Sequence, residues 1–135
     1  MALNRPFSIA AMTLAMLGSG YANAAAAFSA EQLCKAGLAL AIDKQPRGIK
    51  SAGTSGQRIL LALKNGKNDW DYRCTVDRQN RTLKIDARDL KRNDKYLAQA
   101  IRYRVNEGKR TVEVTMKKRT GSGLKNENFS KIQLD

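Results

Sequence analysis

The 135-residue chain contains no histidine. Ser/His/Asp triads, Cys/His nucleophile pairs and histidine-based metal centres are therefore excluded. Neither a Walker A loop nor a dinucleotide-binding glycine pattern occurs. Three groups of residues remain that could do chemistry. The first is Asp69 and Asp71. Two residues apart on a strand, they would share one face about 6.7 Å apart. Carboxylates so spaced could act as acid and base on a glycosidic bond or hold a hard cation. The other reading is two exposed acids balanced by neighbouring cations such as Arg73, Lys84, Arg102 and Arg104. Those cations should lower the pKa that a general acid needs raised.

The second group is the cysteine pair, Cys34 and Cys74. Two cysteines are too few for a structural zinc site, and no C-x-x-C redox motif is present. Their state depends on the compartment, and the N-terminus speaks to that. Met1 to Ala24 hold a single basic residue, Arg5, and no acidic one. The apolar run Phe7–Leu17 follows, then the helix breakers Gly18, Ser19 and Gly20, then Ala22-Asn23-Ala24. This is the order of a secretory signal, with cleavage expected near Ala24. The run is too short for a membrane span, which takes about 20 apolar residues. A periplasmic or secreted location follows, and in that oxidising setting a lone cysteine pair closes into a structural disulfide.

The third group is the cations. Removing residues 1–24 leaves a single domain, residues 25–135, with 24 basic and 12 acidic residues, a net charge of +12. A field of that sign attracts nucleic acid, anionic lipid head groups, acidic polysaccharide or an acidic protein. The alternative is a solvated surface without a partner. Between Arg88 and Lys125 lie twelve basic and four acidic residues. The candidate anion-binding residues are Arg73, Lys84, Arg102, Arg104 and the run Lys117, Lys118, Arg119. Nucleic acid is the weaker option, because alternation sends Tyr103, Trp70 and Tyr72 to the face opposite the cations.

These residues need a frame. Ser29 with Gln32 forms a capping box, and Phe28 with Leu33 a hydrophobic staple, so residues 28–43 should carry a helix. Leu33, Cys34, Gly37, Leu38, Ala41 and Ile42 recur at helical spacing, and Pro46 and Gly48 end the segment. Residues 49–56 read as irregular. Period-two alternation then runs through Ile59–Leu63, Trp70–Val76, Leu83–Ala87, Ile101–Val105 and Val112–Met116, separated mostly by short turns. Residues 88–99 read as a loop with one helical turn at most, and residues 118–128 as a polar connector. Phe129, Ile132 and Leu134 would form a last short strand.

The expected fold is α+β, one helix on a four- to five-stranded antiparallel sheet. Cys34 lies on the buried helix face and Cys74 on the inward strand face, so the disulfide would pin helix to sheet. The Cys-bearing helix followed by the strand Trp70-x-Tyr72-x-Cys74 resembles a group of small exported bacterial proteins of unknown function with a W-x-Y-x-C strand. The resemblance runs from Glu31 to Met116. It implies export and a helix–sheet disulfide, and it implies no activity. The expected role is a non-enzymatic binding module, without cofactor, for an acidic protein or envelope polyanion. Alternatives are an inhibitor or accessory subunit of an envelope enzyme, and a hydrolase using Asp69 and Asp71.

Overall fold

The computed structural model describes residues 28–88, 100–118 and 121–135. The expected signal segment Met1–Ala24, most of the expected 88–99 loop and Arg119 lie outside the described residues. Helix α1, Ala30–Ile42, starts where its cap dictates. The Ser29 hydroxyl accepts the Gln32 N–H at 3.1 Å, and the Gln32 side-chain oxygen accepts the Ser29 N–H at 2.9 Å. Asp43 ends the helix in the left-handed region, at φ 56°. A turn of 3-10 helix, Pro46–Gly48, leads into the sheet.

α1 was expected to bury one stripe, but it buries almost its whole circumference. Leu33, Cys34, Ala36, Gly37, Leu38, Ala39, Leu40 and Ala41 are all buried. The reason is in its composition and its setting. Between Leu33 and Ile42 the helix carries a single polar side chain, Lys35, whose ammonium donates to the Leu134 carbonyl at 3.4 Å. The sheet curls so far around it that α1 touches every strand. A helix apolar on all sides is stable in water only when enclosed in this way.

Among the described residues the sheet has seven strands, not four or five: β1 Ile49–Ser55, β2 Arg58–Leu63, β3 Tyr72–Asp77, β4 Thr82–Ala87, β5 Ile101–Asn106, β6 Thr111–Lys117 and β7 Leu124–Ser130. They form an antiparallel meander in chain order. The two unexpected strands, β1 and β7, are the edges. An edge strand is held by backbone hydrogen bonds to one neighbour and overhangs the core, so it needs little apolar alternation. In β1 only Ile49 is buried, and a register shift between Ser51 and Gly53 interrupts the period. In β7 only Phe129 is buried. The expected final strand is also displaced. β7 stops at Ser130, whose side chain caps the short helix α2, Lys131–Leu134.

Inward residues of all seven strands meet α1 in one core. Leu61, Cys74, Ile85, Ile101, Val112 and Val114 are fully buried there. The Cys34–Cys74 disulfide joins helix to β3 with Cα atoms 5.9 Å apart. It closes a loop spanning 40 positions, worth about 4 kcal/mol by the chain-entropy argument. Polar ties then fix the helix ends. Arg78 donates to the Phe28 carbonyl at 3.2 Å, Gln32 to Asp135 at 2.5 Å, and Lys125 to Asp43 at 3.3 Å.

Candidate anion-binding face

The face of the sheet turned away from α1 carries the polar half of each alternation. Register decides which of its side chains are neighbours. Thr82, Arg102, Thr115 and Asn126 stand directly opposite one another across β4, β5, β6 and β7. Lys84 lies two residues beyond Thr82, and Lys117 two residues beyond Thr115. Because β4 and β6 run the same way, these lysines flank β5 on the same side of Arg102. Their strands are about 10 Å apart, and each lysine is diagonal to Arg102. Lys84, Arg102 and Lys117 are exposed, and among the described residues none has a carboxylate within salt-bridge distance. Lys118 is exposed just beyond the end of β6.

The other candidates are spent locally. Arg104 faces Glu113 across the β5–β6 ladder and pairs with it at 3.5 Å. Arg73 stands between Leu60 and Asp86, is half-buried, and lays its guanidinium carbon 5.5 Å from the Trp70 ring centre. Its Nε is shielded from solvent and has no hydrogen-bond partner among the described residues. Arg119 lies outside the described residues, so the run Lys117–Arg119 is placed only at its first two members.

Arg102 also lines an open depression of about 730 Å³, with Arg81, Thr82, Arg104, Thr115 and Leu124 on its walls. Sequence reasoning missed Arg81, Thr82, Thr115 and Leu124. The threonines sat on the outward half of the alternation, but only strand register places them beside Arg102. Arg81 occupies the β3–β4 turn at φ 56°, where its carbonyl accepts the Tyr103 N–H at 3.0 Å. Leu124 belonged to a segment read as a connector; it opens β7 opposite Lys117 and is 63% exposed. Tyr103 also lines this depression. Burial pushes its pKa up, against the pull of Arg78 and Arg81, so it remains a neutral donor at physiological pH.

The carboxylate pair falls apart in the fold. β3 begins at Tyr72, so Asp69 and Asp71 occupy the loop before it rather than one strand face. Both Asp71 oxygens hold that loop, accepting the Leu63 N–H and the Asn68 amide, each at 2.9 Å. Asp69 accepts from Arg88 at 2.6 Å. That hydrogen bond holds its carboxyl below the usual aspartate range, the opposite of what a general acid requires. Trp70 is displaced with them. It was expected among the core residues, but it is half-buried ahead of β3, with the guanidinium groups of Arg73 and Arg88 both packed against its ring. Arg88 also donates to the Trp70 carbonyl at 3.2 Å. Two cations on one indole help to order the loop.

The chain matches no protein-family model, no curated protein and no solved structure.

Proposed function

We propose that this protein is an exported, non-enzymatic binding module whose outer sheet face takes up a polyanion. The supporting observation is the grouping of Lys84, Arg102 and Lys117 on one exposed face without carboxylate partners among the described residues. Export is supported by the charge, apolar and small-residue order of Met1–Ala24. Arg102, Thr82 and Thr115 supply donors suited to phosphate or sulfate oxygens. The rigid sheet fixes their spacing, which lowers the entropy lost on binding.

Retention on a heparin matrix tests this at low salt, where screening is weakest. Wild-type protein should be retained, and Lys84→Glu/Arg102→Glu/Lys117→Glu should elute near the void. A control triple variant, Lys44→Glu/Lys64→Glu/Lys67→Glu, changes the net charge equally at exposed sites outside this face. It should elute close to wild type. Equal losses in both triple variants would mean diffuse attraction and no site.

A further inference from the structure

We infer that the polyanion is an anionic lipid surface, with Arg102 at a phosphate head group and Leu124 entering the head-group boundary. This rests on the proposed anion-binding role and names its partner. Three observations carry it. Arg102 stands in register between Thr82 and Thr115, so a guanidinium and two hydroxyls can donate to one tetrahedral oxyanion. Lys84 and Lys117 flank that position, and each cation held near an anionic leaflet adds to the attraction. Leu124, 63% exposed, stands directly opposite Lys117 on the rim of the same depression.

An exposed leucine beside cations that have no carboxylate partner among the described residues suits an amphiphilic surface, which is charged at the head group and apolar just beneath it. It does not suit the other polyanions equally well. Single-stranded nucleic acid takes exposed aromatic rings for base stacking. The aromatic side chain at this depression, Tyr103, is 7% exposed and so offers no stacking face. A soluble sulfated polysaccharide gains nothing from Leu124. Leu124 follows Gly121 and Gly123, which have φ of 79° and 104°, and the Lys118 N–H donates to the Gly123 carbonyl at 3.1 Å.

Vesicle co-sedimentation of the purified protein provides the test. Vesicles of phosphatidylglycerol and phosphatidylcholine in equal parts should bind it, and pure phosphatidylcholine vesicles should not. Leu124→Ser should weaken binding to the mixed vesicles roughly tenfold, the scale of one leucine kept in water, and leave heparin elution unchanged. Lys84→Glu/Arg102→Glu/Lys117→Glu should abolish vesicle binding. Heparin retention without vesicle binding would overturn the lipid assignment and leave the polyanion reading standing. Loss of both would overturn both. Vesicle binding indifferent to Leu124→Ser would also overturn the inference, since the cations alone would then account for it.

Discussion

Replacing Gly37 with alanine sets two effects of similar size against each other. Gly37 sits mid-helix on the α1 face that meets the sheet. A methyl group built there would stand 2.6 Å from Leu83 Cδ1, with Ile101 Cδ1 at 3.6 Å and Ile85 Cδ1 at 3.7 Å. Carbon atoms pack at about 3.5–4.0 Å, so Leu83 must retreat by roughly 1 Å. It has little room: Leu83 is 1% exposed, and Ile85 and Ile101 are fully buried beside it. Overpacking of this kind costs about 1–3 kcal/mol. Against it stands the better helix propensity of alanine, worth about 1 kcal/mol. Gly37→Ala should therefore destabilise by about 1 kcal/mol, a fall in Tm of roughly 5 °C. Leu83→Val removes the clashing carbon and alone should cost about 1 kcal/mol as a cavity. In the Gly37→Ala background the same change should instead stabilise by about 1 kcal/mol, because it relieves the overpacking that exceeds the cost of the lost carbon. Thermal and urea unfolding of the four proteins, followed by circular dichroism, gives the coupling energy, expected to be about 2 kcal/mol in magnitude. A cycle additive within about 0.3–0.5 kcal/mol, or a Gly37→Ala variant more stable than wild type, would refute the seating of α1 on β4 and β5.

Two further predictions concern the staple and the loop before β3. Cys34→Ala/Cys74→Ala should lose about 4 kcal/mol, which lowers the urea midpoint by about 2 M at a slope of about 2 kcal/mol/M. An unmoved midpoint in the variant, or in wild-type protein under reducing conditions, would show that the cross-link does not constrain the chain. Carboxyl titration by NMR should place the Asp69 midpoint below the ordinary value of about 3.9, and Arg88→Ala should return it there. Because the folded pKa is depressed, the stabilisation is present above the unfolded value and lost as pH falls through the folded one. The pH dependence of that contribution is therefore confined to the acid range, from about pH 4 downward. A midpoint unchanged by Arg88→Ala would remove Arg88 as the cause.

Much of the frame was legible in the residues. The capping box at Ser29 and Gln32 placed the start of α1 within two residues. Alternation located β2 through β6, and compartment plus facing predicted the Cys34–Cys74 bond. These features are local. A cap lies within one helical turn, and a strand that is buried on one face must alternate. The edges escaped because β1 and β7 are held by backbone pairing that leaves little mark on side-chain type. The first turn of α1 is polar and the rest nearly all apolar, a composition that already implied enclosure rather than one-sided packing.

The candidate chemistry divides along the same line. The absence of histidine and the excess of cations belong to the composition and hold whatever the fold. Which cations act together does not. Alternation put Arg102 and Arg104 on one face, but cross-strand register gave Arg104 to Glu113 and left Arg102 between two threonines. Asp69 and Asp71 looked like a pair until the chain turned ahead of β3 and gave each a different partner. Residue type and spacing determined the elements and the sign of the field, because those depend on neighbours along the chain. Only the tertiary structure decided which charges pair with each other and which stand beside Leu124, because that depends on neighbours across strands.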